Sequence, residues 1–176
     1  ITNKKVVGTI GRITEQKNLP FLFDIMADLI DEDSDYVLLL VGDGNKSIIE
    51  EYYSQKKDIS TNVITVGDQK NVWDYYMAMD VFCGTSLYEG FGTTAIESQA
   101  TGVPTLLSMG FPKVVEVTDF VKRLETYNTD VWVENIKKVI GLRYPEQGQR
   151  GVMDHGYSAQ MVAKQLEEFY LAHCEK

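Results

Sequence analysis

Two carboxylates, Glu89 and Glu97, bracket a glycine-rich turn in the stretch Glu89-Gly90-Phe91-Gly92-Thr93-Thr94-Ala95-Ile96-Glu97. The apolar run Val81-Phe82-Cys83-Gly84 before it reads as a strand end. The Ala/Ile/Glu-rich segment after it reads as a helix closed by Gly102 and Pro104. Glu89 therefore falls in the loop and Glu97 inside the helix. Gly90 and Gly92 leave the backbone bare, so a ligand can lie against the N–H groups of Phe91, Gly92 and Thr93, where a helix start carries about half a positive charge. An anion is the natural guest. Both carboxylates, Glu97 lying about one turn into the helix, can face one cleft, where they would grip hydroxyl groups such as a sugar offers rather than the anion. Acidic residues in a first helical turn and Gly-x-Gly in a loop also occur for reasons of helix dipole and turn geometry alone, so this reading needs support from elsewhere in the chain.

Support comes from the first strand. Lys4-Lys5-Val6-Val7-Gly8-Thr9-Ile10 is an apolar run that leads into the polar loop Gly11-Arg12-Ile13-Thr14-Glu15-Gln16-Lys17-Asn18. Phe21, Leu22, Ile25, Met26, Leu29 and Ile30 then recur at helical spacing, which predicts a helix over about Leu19 to Asp31 with Pro20 in its first turn. Arg12 and Lys17 thus flank a turn at the end of a strand, where open α/β sheets bind their ligands. For each, a solvated surface charge is the plainer alternative.

The elements that must position these groups alternate along the chain. Tyr36 to Gly42 is a continuous apolar run, as for a strand covered on both faces, and a helix follows over about Lys46 to Lys57. Asn62 to Gly67 is a further strand with Asp68-Gln69-Lys70-Asn71 as its exit loop. Val72 to Met79 reads as a short helix before the Asp80 to Gly84 strand, and Val103 to Ser108 as another strand. Beyond that, Val114 to Val121 reads as a short edge strand, Trp132 to Ile140 as a helix, and Met153 to His173 as one long amphipathic helix with Met161, Val162, Leu166, Phe169 and Tyr170 as its apolar set. Trp132 and the tyrosines read as packing groups. This order predicts an α/β, Rossmann-like, doubly wound parallel sheet with helices on both faces, in a single domain over 1–176.

Composition narrows the chemistry. At 176 residues the chain suffices for one well-buried domain. The net charge of −9 excludes a broad basic face for nucleic acid, so an anionic small ligand must rely on a few local cations. No apolar run approaches the roughly 20 residues of a spanning helix. Ile1 has no charged-then-apolar leader behind it, which reads as no secretory signal, and the missing initiator Met reads as a piece of something longer. Cys83 and Cys174 make neither a disulfide framework nor a metal cluster and fit a reducing cytoplasm. His155 and His173 stand apart with no second ligand at metal spacing. Gly8 and Gly11 do not make the Gly-x-Gly-x-x-Gly dinucleotide fingerprint, and Gly44-Asn45-Lys46-Ser47 does not make a phosphate loop.

Taken in order, Gly11-Arg12 with Lys17-Asn18, Val41-Gly42-Asp43-Gly44, Val66-Gly67, Tyr75-Tyr76 to Asp80, and Glu89 to Glu97 ending in Gly102-Val103-Pro104 resemble the family 4 retaining glycosyltransferases, in particular the bacterial capsular and exopolysaccharide ones. The resemblance is strong over roughly Lys5 to Ser108 and weak in the tail. It implies a GT-B enzyme of two facing Rossmann-like domains, with this chain as the C-terminal, donor-binding half and an N-terminal acceptor domain as its partner. It implies that Arg12 and Lys17 neutralise the diphosphate of a nucleotide-sugar donor, with a UDP-sugar expected, and that Glu97 binds the ribose hydroxyls. Glu89 would lie at the donor sugar, and the Gly90 to Thr93 backbone would meet sugar or phosphate. The Gly67 to Val72 loop, with Lys70 and Val72, would frame the base, and Gly11 and Gly42 would complete the donor site. Glu89, Arg12 and Lys17 are the expected catalytic set. The acceptor would be a glycan or a lipid-linked glycan, and the full-length enzyme would work in the cytoplasm or peripherally at the inner membrane face. No metal and no cofactor is expected.

Two departures from the family pattern stand out. Glu97-Ser98-Gln99-Ala100 replaces the more usual Glu-Ala-Met-Ala, a change read as falling on the helix's far face. The region from Met109 to Lys113 lacks the family's Gly-rich loop. A non-catalytic nucleotide-binding or assembly module of the same fold is the alternative function, and a nicotinamide-binding domain a weaker one, since the fingerprint is missing.

Overall fold

The computed structural model describes residues 2–174. β1 (Lys5–Ile10) and β2 (Tyr36–Val41) lie side by side, followed in the chain by β3 (Val63–Thr65), β4 (Val81–Gly84), β5 (Thr105–Ser108) and β6 (Val121–Leu124). All pairs are parallel and the order across the sheet is β3-β2-β1-β4-β5-β6. The sequence of connections therefore reverses between β1 and β4, and the crevice at the carboxyl ends of these strands is where an open α/β sheet binds its ligands.

The helices are α1 (Leu19–Glu32), α2 (Ser47–Gln55), α3 (Trp73–Ala78), α4 (Thr93–Ala100), α5 (Thr129–Val139), α6 (Pro145–Asp154) and α7 (Ala159–Cys174). Strand side chains alternate between faces with a period of two, and this divides the core into two layers. Leu38 and Leu40 of β2 join Leu22, Ile25, Met26 and Leu29 of α1 and Trp132 and Ile136 of α5 on one side. Val37, Leu39 and Val41 of the same strand join Tyr76 of α3, Ala95 and Ile96 of α4, and Phe111 on the other. β2 is buried at every position, which is why its sequence is apolar without alternation.

Four expectations need correction. The expected Val114–Val121 strand is a 3-10 turn at Lys113–Val115 followed by a loop, and the edge strand is Val121–Leu124. The Gln99 side chain takes the backbone bonds a ladder would have used: its Nε2 donates to Val115 O at 2.7 Å and its Oε1 accepts from Val117 N at 3.0 Å. Ser98 and Gln99 accordingly do not lie on a far face but are fully buried. The expected helix from Met153 to His173 is two helices, because the chain turns through Gly156 at φ 79°, which a right-handed helix cannot contain. Finally, the apolar set of α7 covers no core: Met161, Val162, Leu166, Phe169, Tyr170 and Leu171 are 38 to 65% exposed.

Helix α6 has no counterpart among the sequence expectations, and it carries Gly148 and Gly151, each unfavourable inside a helix. Both are needed because Cβ atoms there would meet Gln99 O at 2.1 Å and Val117 O at 2.3 Å, so α6 packs backbone to backbone on its neighbours.

Candidate functional site

The loops leaving β1 and β4 meet at the crevice and are stitched together. Leu87 N donates to Gln16 O at 2.8 Å, Gln16 Nε2 to Tyr88 O at 2.8 Å, and Thr85 Oγ1 to Lys17 O at 3.0 Å. Across this seam Lys17 Nζ lies 2.7 Å from Glu89 Oε1, which also accepts from Ser86 Oγ at 2.7 Å, while Gln16 Nε2 lies 3.3 Å from Glu89 Oε2. The Glu89 side chain is only 9% exposed and that of Lys17 20%, so the pair is largely withdrawn from water. Lys17 thus reaches across to Glu89 instead of standing free at the strand end. Gln16 and Ser86, which hold the carboxylate, were missed in the sequence, since nothing in their spacing marks them.

Glu97 faces a different neighbour. Tyr76 of α3 is fully buried, and its hydroxyl donates to Glu97 Oε2 at 2.8 Å. Burial first, and the Glu97 charge second, push the Tyr76 phenol well above its ordinary value, so it stays a donor. Tyr76, read as a packing group, is also the residue that orients Glu97. The sequence marked it only as part of the Tyr75-Tyr76 to Asp80 motif, without a role.

A second group of the expected residues lines one cleft of about 510 Å³ at the ends of β1 and β2: Gly11, Arg12, Gly42 and Val72, with Asp68 and Gln69 beside them. Gly42 is required by close approach. A Cβ there would sit 2.0 Å from Gly11 O, and its φ of 130° disfavours any side chain. Gly42 N donates to Gly67 O at 2.7 Å, which ties the β2 and β3 exits together. Arg12 is exposed and, among the described residues, forms no ion pair or side-chain hydrogen bond, so its charge is available to the cleft. Lys70 is exposed on the same exit loop and does not line the cleft.

Helix α4 begins at Gly92, at φ 85° with no side-chain cap, so its first-turn amides lack a side-chain acceptor. Gly90 is open on all sides, whereas a Cβ at Gly92 would strike the Phe111 ring at 2.6 Å. Phe91 and Thr93 are exposed. The site thus presents, among the described residues, the free Arg12 cation at its cleft, the Lys17–Glu89 pair beside the uncapped start of α4, and a second carboxylate held by a buried phenol. It can take an anion flanked by hydroxyl-bearing groups.

A larger concavity, about 780 Å³, lies at the opposite ends of β5 and β6 between Phe120, Tyr144, Arg150 and Asp154, and none of the expected site residues lines it. Among the described residues no three His, Cys, Asp or Glu side chains gather at metal-binding distance. Cys83 is buried, His155 and His173 are exposed, and among the described residues no helix is long and apolar enough to cross a membrane.

The family model for Glycosyl transferases group 1 matches residues 1–169. The chain is 27% identical to EpsF of Bacillus subtilis over 178 residues, which span 99% of this chain and 46% of EpsF. It is 26% identical to the capsular polysaccharide biosynthesis glycosyltransferase CapM of Staphylococcus aureus over 180 residues, spanning 94% of this chain and 45% of CapM. HepE of Anabaena, solved with UDP and glucose, superposes with a TM-score of 0.76 at 20% identity over 94% of this chain and 48% of HepE. The chain thus spans about half the length of the relatives it matches.

Proposed function

Because the chain belongs to the glycosyl transferases group 1 family, we propose that it is the donor-binding half of a metal-independent transferase that moves a sugar, with retention of configuration, from a UDP-sugar to a glycan or lipid-linked acceptor in cell-surface polysaccharide assembly. The observation that supports this reading is the Lys17–Glu89 pair beside the α4 start, with the Lys17 stem against Gly11, which lines the Arg12 cleft.

In this reading the diphosphate lies between Arg12 and the amides of Gly92 and Thr93, with Lys17 sharing its ammonium between phosphate and Glu89. Breaking the C1–O bond leaves negative charge on the departing diphosphate and positive charge at the sugar ring. Fixed cations stabilise the first, and the Glu89 carboxylate, held beside the ring, stabilises the second. Glu97, held by Tyr76, accepts from the ribose hydroxyls, and the Gly67 to Val72 loop frames the base. The acceptor site belongs to the other half of a full-length chain. The exposed apolar residues of α7 are suited to pack against that half, and the full-length enzyme would work in the cytoplasm or at the inner face of the membrane.

Calorimetric titration with UDP, GDP and ADP, with and without EDTA, tests the proposal. UDP binding that is unaffected by EDTA and lost in Glu97→Ala supports it. Binding of none of the three by the full-length protein would instead favour a non-catalytic module of the same fold.

A further inference from the structure

Arg123 lies in β6 at the edge of the sheet, away from the crevice, yet its side chain is only 11% exposed. Its Nη1 donates to Phe111 O at 2.5 Å and its Nε to Glu116 Oε1 at 2.6 Å. Nη2 lies close to the same glutamate oxygen but off the hydrogen-bonding direction, and finds no other acceptor among the described residues. A buried guanidinium is costly to hold unless it fixes something, and what it grips is the loop from Met109 to Glu116.

That loop abuts the crevice. Gly110 O accepts from Glu89 N at 2.8 Å, and a Cβ on Gly110 would sit 2.2 Å from Ser86 O. Ser108 Oγ donates to Ser86 O at 2.5 Å and accepts from Gly110 N at 3.3 Å. The Phe111 ring fills the space beside Gly84 and Gly92, where added Cβ atoms would meet it at 2.7 and 2.6 Å. One residue, Phe111, therefore has its carbonyl held by Arg123 and its ring wedged under the strand end and the helix start. Its neighbour Gly110 carries the backbone of Glu89. Where the family pattern has a Gly-rich loop, this chain has a braced one.

We infer that Arg123 is a positioning residue for the transfer reaction: through Phe111 and Gly110 it sets the placement of Glu89 and of the first turn of α4 against the donor. The inference rests on the donor-site reading above. Misplacing a reacting group by about 1 Å costs up to ~100-fold in rate, so a strut of this kind acts on turnover and leaves the Arg12 cleft untouched.

The test uses the full-length protein carrying Arg123→Met, Arg123→Lys and the double variant Arg123→Met/Glu116→Met, which removes the buried pair without leaving Glu116 unpaired. Hydrogen exchange is followed in the segments 86–93 and 108–112, together with UDP affinity and UDP release from UDP-glucose, UDP-galactose or UDP-N-acetylglucosamine with water as acceptor. In Arg123→Met and in the double variant, exchange in those two segments is expected to rise by ~10-fold while β1 keeps its protection. UDP affinity changes by less than ~10-fold, and turnover falls further, by ~10- to 100-fold. Arg123→Lys recovers part of the turnover. A double variant with wild-type thermal stability, turnover and local exchange overturns the inference and leaves Arg123 a plain core pair. Failure of the wild type to bind UDP overturns the donor-site reading, and the inference with it, whereas UDP binding with unchanged exchange in the variants overturns the inference alone.

Discussion

The Lys17–Glu89 pair makes a prediction opposite to that of an ordinary binding residue: Glu89→Gln should bind UDP more tightly than the wild type. In the structure Glu89 holds the Lys17 ammonium at 2.7 Å, with 9% and 20% of the two side chains exposed. At ~4 Å between charge centres and an effective dielectric of ~20 the gross attraction is ~4 kcal/mol. Desolvation offsets much of it. The net cost of breaking the pair lies between the ~0–1 kcal/mol of an exposed pair and the ~3–5 kcal/mol of a fully buried one, at about 2 kcal/mol. A glutamine still accepts from Ser86 and Lys17 but brings no charge, so Lys17 can give more of itself to a diphosphate. If about 1.4 kcal/mol of the released attraction is transferred to the ligand, UDP affinity rises ~10-fold. Calorimetry with UDP reads this directly, and thermal denaturation reads the linked quantity: UDP should raise Tm more in Glu89→Gln than in the wild type. Lys17→Met should lose affinity, the double variant Lys17→Met/Glu89→Gln should show no gain, and the gain in Glu89→Gln should shrink as salt screens it. An unchanged or weaker UDP affinity in Glu89→Gln would refute the idea that one ammonium serves both anions.

Three further outcomes follow from the geometry. Arg12→Ala should weaken UDP binding by about 1.5–3 kcal/mol with little change in Tm, because Arg12 has no side-chain partner among the described residues to lose; calorimetry and a melting curve check both halves. Tyr76→Phe removes the hydroxyl that donates to Glu97 and should cost about 1 kcal/mol in denaturant unfolding. The raised Tyr76 pKa means that its contribution is complete below the ordinary value of 10.0 and is lost as the pH climbs above it, so the alkaline loss of stability should be shallower in Tyr76→Phe. Gln99→Leu leaves Val117 N without its acceptor and should destabilise the protein by about 2 kcal/mol, measured by urea unfolding, with UDP affinity retained.

The doubly wound sheet was legible because its signals are local. The unbroken apolar run of β2 follows from burial on both faces, and the helical spacing in α1 from burial on one. The polar loops after β1, β2 and β4 mark the strand ends where a ligand can approach. The failures lie where a distant partner overrides the local pattern. Val114 to Val121 has strand-like composition, but its backbone bonds go to the side chain of Gln99 from α4. Met153 to His173 has enough apolar residues for one helix, but Gly156 divides it and α7 has nothing beneath it among the described residues.

The candidate site divides in the same way. The types and spacing of Arg12, Lys17, Glu89, Gly92 and Glu97 were sufficient to pick out the candidate residues, because glycines, a helix start and charges each carry their chemistry in their identity. Which charge meets which was decided only by the fold. The β3-β2-β1-β4-β5-β6 order places the β1 and β4 loops edge to edge, and this directs Lys17 onto Glu89. The packing of α3 against α4 places the Tyr76 hydroxyl on Glu97, and β6 brings Arg123 under Phe111. Such pairs join residues 12 to 72 positions apart, and their energies depend on burial and angle, quantities that exist only once the chain has closed on itself.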